Sequence, residues 1–285
     1  MPVIVGVPRS GTTLLRLMLD SHPQLAIPPE TDFLYRRPRW GLGSSKERLF
    51  RAVTGVPPQT GPWPDFGLEA QEFRADLQKI EPFDWSEGIR AFYRLYARKH
   101  CKPRYGDKTP LYCRHMPRIE RLLPEAHFIH LLRDGRDVAL SLRALWFAPG
   151  KDMRTLALYW QALVKQARKA GARRRRYLEV RYENLVTDPA AVLHSVCGFV
   201  GLDFHPAMLE YWKRAPERLQ EHQSRHNQGG RLIVTREQRL AQQSLAFKPL
   251  QKDRIAGWKT EMTFADQNEF VRHAGAMLEQ LGYEV

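Results

Sequence analysis

The residues best equipped for chemistry are Arg9, Ser10, Gly11, Thr12 and Thr13, set between an apolar run at 2–6 and an amphipathic stretch at 12–21. A strand that feeds a tight loop and then a helix N-terminus makes an anion cradle. Backbone N–H groups converge on the ligand, and the helix dipole favours negative charge. Gly6, four intervening residues and Gly11 nearly reproduce the spacing of the ATP-binding P-loop, which continues Gly-Lys-[Ser/Thr]. Here Thr12 stands where that lysine belongs, and the cation, Arg9, lies inside the loop. The loop is expected to hold a phosphate-like group in a manner other than that of an ATPase; an ordinary strand-to-helix turn is the plainer alternative.

These residues need a scaffold, and the chain supplies alternating elements. Strands are predicted at 2–6, 128–132 and 177–180, with Arg104–Asp107 as a short strand end. Helices are predicted at 12–21, 69–79, 85–99, 111–122, 138–145, 152–172 and 189–200, the fourth of these beyond Lys108. The five-residue run at 128–132 is mostly apolar, as a buried parallel strand requires, and ends in Arg133-Asp134-Gly135-Arg136. Strands alternating with helices argue an α/β fold with a parallel sheet, whose ligands bind at the carboxyl ends of the strands. Two stretches break the pattern. Residues 36–67, rich in Pro, Gly, Arg and Trp, read as an irregular surface excursion. Residues 215–253 are polar and basic with a hinge at Gly229-Gly230, and read equally as a mobile lid or as a solvated linker.

Pro8-Arg9-Ser10-Gly11-Thr12-Thr13 resembles the 5′-phosphosulfate loop of sulfotransferases that use 3′-phosphoadenosine 5′-phosphosulfate (PAPS). The arginine version is similar to tyrosylprotein and many bacterial sulfotransferases, whereas cytosolic ones typically carry a lysine. Three further segments extend the resemblance. Leu132–Ser141 resembles the segment that recognises the 3′-phosphate of PAPS with an arginine and, eight residues on, a serine, here Arg133 and Ser141. A guanidinium suits that task because it makes charge-assisted, bidentate bonds to phosphate; an ion pair of Arg133 with Asp137 is the structural alternative. Arg181-Tyr182-Glu183 resembles the family's nucleotide-holding tyrosine site, so Tyr182 is implied as a nucleotide contact, or else a core tyrosine. Lys248–Lys259 is similar to the C-terminal nucleotide loop but lacks its first glycine, which leaves Arg254 or Lys252 as the implied contact, with Trp258 there or in the core.

The resemblance also implies the catalytic set. Pro28-Pro29-Glu30-Thr31 matches the position of the tyrosylprotein-type general base, giving Glu30, with His22 and His130 as alternatives. Gly106-Asp107-Lys108-Thr109-Pro110 resembles the segment that carries a second catalytic cation, so Lys108 is expected beside the transferred group with Arg9. Ser244 is a loose candidate for a further family serine. The implied architecture is a P-loop-like three-layer fold, a central parallel sheet flanked by helices, as a single domain over 1–285 whose substrate side is shaped near 36–67 and 215–247. The implied partners are PAPS and a hydroxyl-bearing acceptor, with no metal.

Composition narrows the alternatives. The 285 residues are 43% hydrophobic and carry a formal charge of +14, which suits a globular protein with acidic partners. The basic run Arg173–Arg176 reads as a solvated helix end rather than a nucleic-acid contact. The three scattered cysteines form neither a disulfide framework nor a zinc pattern. The start MPVIVG is unlike a signal peptide and no apolar run reaches membrane-spanning length, which gives the expectation of a cytoplasmic protein. A P-loop kinase is one competing reading; it wants Gly-Lys-[Ser/Thr] and a carboxylate at a strand end, where this chain places Arg133. A non-catalytic protein binding RNA or a polyanion is the other; it accounts for the charge but not for the ordered loops.

Overall fold

The computed structural model describes residues 1–35, 45–55, 63–227 and 229–285. Its centre is a four-stranded, all-parallel sheet in the order β4 (Asp107–Lys108), β1 (Pro2–Gly6), β5 (His127–Leu132), β6 (Tyr177–Arg181). Side chains of a strand point alternately to its two faces, and this alternation divides the core. Val3, Val5, Phe128 and Leu132 join one apolar cluster, with α4 (Trp85–Lys99), α6 (Gly135–Arg143), α7 (Met153–Gly171) and α13 (Phe264–Gln280). Ile4, Ile129 and Leu131 join a second cluster, with α1 (Thr12–Asp20) and α9 (Pro189–Val200). The result is the expected three-layer α/β arrangement.

Most predicted elements appear within a residue or two of the expected ends. The 111–122 helix does not: it is a 3-10 turn, Pro110–Arg114, followed by α5 (Met116–Leu122). Pro117, lacking an N–H, cannot continue a helix from the preceding turn. Arg104–Asp107 resolves into two strands, β3 (Arg104–Tyr105), paired with β2 (Leu25–Ala26), and β4, paired with β1. The helix begun after Arg133 starts at Gly135, capped by the Asp134 carboxylate on the Arg136 N–H. The final helix, α13, lies beyond the elements read from sequence and packs against α7.

The two stretches expected to be irregular are more ordered than that. Within 36–67, Lys46–Thr54 forms α2, capped by Ser45 and burying Leu49 and Val53 one turn apart; the Pro- and Gly-rich average of the stretch conceals this short amphipathic segment. Residues 36–44 and 56–62 lie outside the described residues. Within 215–253 stand α10 (Ala215–Leu219), an antiparallel hairpin β7 (Arg225–His226) and β8 (Leu232–Val234), and α11 (Arg236–Ala241). The glycine expected as a hinge, Gly230, sits at φ +78° in the hairpin turn. A capping box, Thr235 with Gln238, starts α11. The segment is tied down by Asp65, fully buried, which takes ion pairs from Arg225 at 3.0 Å and Arg239 at 2.9 Å.

Candidate active site

The loop after β1 turns through two left-handed residues, Arg9 (φ +74°) and Gly11 (φ +95°). A side chain on Gly11 would put its Cβ 2.4 Å from Tyr182 Cδ2, so only glycine fits beneath that ring. Gly11→Ala is therefore expected to lower stability by roughly 1–3 kcal/mol, the scale of forced backbone strain. Equal melting temperatures for the two proteins would contradict it.

Around the loop the predicted residues converge. Tyr182 lies at the start of α8 (Tyr182–Thr187), with the Arg133 guanidinium 4.3 Å over its ring. Arg133 donates to the carbonyls of Arg254 (2.8 Å) and Arg9 (3.3 Å) and lies 3.7 Å from Asp137. The ion pair weighed as an alternative is thus present, alongside a position over the loop. Asp137 in turn accepts the N–H groups of Ala256 and Trp258, pinning the C-terminal segment across the site. Ser141 accepts a hydrogen bond from Arg9 Nε at 3.0 Å, so it bridges α6 to the loop. Arg9 also donates to the Gln242 carbonyl at 3.2 Å. Burial, then the neighbouring Arg133, lower the Arg9 pKa from its ordinary value. Six buried side-chain atoms among the described residues have no hydrogen-bond partner, and two of them, Ser10 Oγ and Arg133 Nε, belong to the loop and the arginine that lies over it. Buried polar groups are normally satisfied, so both atoms keep unused hydrogen-bonding capacity beside the loop.

On the other side of the loop, Lys108 at the end of β4 donates to Glu30 Oε1 at 2.6 Å. The Lys108 side chain is 6% exposed and that of Glu30 43%, so the carboxylate opens to the cavity while the ammonium stands behind it. Burial opposes ionisation of Glu30, but Lys108, with Arg225 and Arg239 behind it, outweighs burial and holds the carboxyl below the ordinary range. A buried network fixes the pair from beneath. Thr31 donates to Asp107 Oδ2 at 2.7 Å, Tyr93 donates to the same oxygen at 2.7 Å, and Tyr112 lies 2.7 Å from the Thr31 hydroxyl. Burial pushes the Asp107 carboxyl up to about 6.

Arg9, Gly11, Thr12, Thr13, Arg133, Tyr182 and Arg254 line one hollow. Glu30 and Lys108 line a second, of about 430 Å³. Arg9, Thr12, Thr13, Gln242 and Gln243 belong to both. Several lining residues of the second were absent from the sequence reading. Asp32, His222, Arg225 and Arg239 are polar, and Tyr35, Trp146, Phe147 and Tyr159 are aromatic. His222, Arg225 and Arg239 fall in the stretch near 215–247 expected to shape the substrate side, but no local signal singled them out, although the Thr235-x-x-Gln238 capping signature was legible and would have marked Arg239 as helical.

Other candidates lie elsewhere. His22 makes its contact with the Asp203 carbonyl at a helix end, and His130 is fully buried in β5 beside the Tyr177 hydroxyl; neither lines these hollows. Ser244 and Lys252 are exposed and line neither, and Trp258 is a core residue under Arg136. The cysteines form no disulfide. Among the described residues no side-chain cluster has the make-up of a metal site, and no helix is long and apolar enough to cross a membrane.

Fold and loop together define a P-loop-like α/β protein with an anion cradle at the carboxyl ends of its strands. Residues 3–206 match the sulfotransferase family, and the chain belongs to it. It is 28% identical over 301 residues to protein-tyrosine sulfotransferase 2 of Gallus gallus, spanning 100% of this chain and 70% of that protein. It is 27% identical over 304 residues to nodulation protein NoeE of Sinorhizobium fredii, spanning 99% of this chain and 65% of that protein. Among solved structures, the sulfotransferase domain of the Synechococcus PCC 7002 olefin synthase is similar at a TM-score of 0.59 and 26% identity, over 100% of this chain and 95% of that one. Mouse sulfotransferase SULT7A1, complexed with PAP, shares the fold at a TM-score of 0.50 and 13% identity, over 99% of this chain and 88% of that one.

Proposed function

We propose that this chain transfers a sulfuryl group from PAPS to the hydroxyl of a small metabolite or glycan, with Glu30 as general base. The observation that carries the reading is the shared wall. Arg9, Thr12 and Thr13 face both hollows, so a donor held in one presents its reactive end to an acceptor held in the other. The donor side would be held by the loop N–H groups and Ser10 at the 5′ end, by Arg133 at the 3′-phosphate with Ser141 close by, and by Tyr182 and Arg254 along the nucleotide. The unpartnered Ser10 Oγ and Arg133 Nε fit acceptor-rich phosphate oxygens.

In the reaction the acceptor oxygen attacks sulfur as the bond from sulfur to the bridging oxygen breaks. The hydroxyl proton passes to Glu30, and the products are a sulfate ester and 3′-phosphoadenosine 5′-phosphate (PAP). Glu30 is suited to this because Lys108 keeps it ionised and its carboxylate opens to the acceptor cavity. Lys108 has protons to spare beyond the one given to Glu30, and Arg9 adds a fixed positive charge where the leaving phosphate gains negative charge. These two cations supply the charge stabilisation without a metal.

Titration calorimetry tests the donor half. PAP is expected to bind more tightly than adenosine 5′-phosphate, and Arg133→Ala is expected to remove roughly 1.5–3 kcal/mol of that binding, the scale of a hydrogen bond to a charged group. Equal affinity for nucleotides with and without the 3′-phosphate would sink the assignment of Arg133. ATP bound in preference to PAP would favour the kinase reading instead.

A further inference from the structure

His222 enters the acceptor cavity from the segment between α10 and β7 and has no part in the chemistry above. Its surroundings fix which of its nitrogens can donate. Arg239 is locked by a two-pronged ion pair with the buried Asp65, Nη1 to Oδ1 at 3.1 Å and Nη2 to Oδ2 at 2.9 Å. The same Nη2 lies 3.2 Å from His222 Nδ1. A guanidinium has only donors, so Nδ1 must accept and carry no proton, and the imidazole proton of the neutral ring sits on Nε2. Burial, then Arg239, Arg16, Lys108 and Arg225, hold the ring's pKa well below its ordinary value, which keeps it neutral. Nε2 makes no hydrogen bond with the described residues, and the ring lines the hollow that Glu30 and Lys108 line.

An imidazole held in this way cannot take a proton from the acceptor: its one lone pair is engaged by Arg239. It can only donate. We propose that His222 is a specificity residue whose Nε2–H bonds a second oxygen on the acceptor, and hence that the acceptor is an alcohol bearing another oxygen near its reacting hydroxyl. This rests on the sulfotransferase reading for the identity of the cavity, but the donor assignment itself does not. An alcohol lacking the second oxygen would leave Nε2–H without that bond, and sites built around a hydrogen bond discriminate against analogues that cannot make it. Trp146 and Phe147, exposed at the same cavity with ring centroids 5.4 Å apart, offer an apolar wall for the remainder of such a molecule.

The test uses the PAP-loaded protein and two probe alcohols, 2-phenylethanol and 1-phenylethane-1,2-diol, which differ by one hydroxyl. Binding is read by calorimetry. The wild type is expected to favour the diol by about tenfold, the worth of one hydrogen bond. His222→Leu is expected to abolish the preference, and His222→Gln, whose amide N–H can reach the Nε2 position, to retain most of it. PAP affinity should be unchanged in both variants. Nitrogen NMR of the wild-type imidazole should show Nε2 protonated and Nδ1 bare throughout the pH range in which a free histidine titrates. No preference in the wild type, a preference that survives His222→Leu, or a proton on Nδ1 overturns the proposal. A wild-type protein that fails to bind PAP at all would count against the sulfotransferase reading, while the NMR result still decides the donor assignment.

Discussion

Glu30→Gln is expected to lower kcat by roughly 10²–10⁴-fold, the range for loss of a general base, with PAP affinity nearly intact. The substitution keeps the side chain's shape and leaves an amide oxygen for Lys108, so it removes proton acceptance rather than packing. The pH–rate profile supplies an independent check. Lys108 holds Glu30 below the ordinary carboxyl range despite burial. Activity that depends on the ionised base is therefore present at neutral pH and lost only as pH falls through that lowered pKa; this limb should vanish in Glu30→Gln. Asp107, pushed up to about 6, belongs to the network beneath the pair, and any limb it causes should persist in the variant. A weakly acidic alcohol is the proper acceptor, since a phenol ionises easily enough to mask the missing base. Near-wild-type turnover of such an alcohol by Glu30→Gln would move the base elsewhere.

Arg9→Ala is expected to lower kcat on the order of 10²-fold or more while KM for PAPS changes far less. The reason is timing: negative charge accumulates on the leaving phosphate only as the bond to sulfur breaks, so a cation placed there acts chiefly in the transition state. Arg9 also ties the loop to Ser141 and Gln242, so retained PAP binding is needed to show that the loop survives. Lys108→Met should cost a comparable factor and leave a second mark. Without the ammonium at 2.6 Å, Glu30 loses its counter-charge and its limb of the pH profile moves up. A raised KM with unchanged kcat in either variant would reduce that residue to a binding group.

Much of this site is local in sequence and was legible for that reason. A strand, a glycine-bearing loop and a helix N-terminus are contiguous at 2–20, so the cradle and its cation at Arg9 follow from the order of the residues. Arg133 follows for the same reason: it is the first residue after a buried strand, and a parallel sheet gathers such positions at one edge. Glu30 and Lys108 were legible only through resemblance, because nothing in residues 28–31 or 106–110 alone says that two charges 78 positions apart will meet at 2.6 Å. The sequence pointed to the stretch near 215–247 as substrate-side, but which residues form the wall beside Glu30 and Lys108, and how they are held, was decided by tertiary structure. Asp65 draws Arg225 and Arg239 down from the far end of the chain, and this turns a polar, basic stretch that looked like a lid or linker into a packed hairpin and helix. His222, Trp146 and Phe147 reach the cavity by the same route of long-range packing. Covalent order fixes which groups follow a strand or open a helix. Which distant charge neutralises a buried carboxylate is fixed by the desolvation cost of leaving it alone, and that cost exists only once the chain has folded around it.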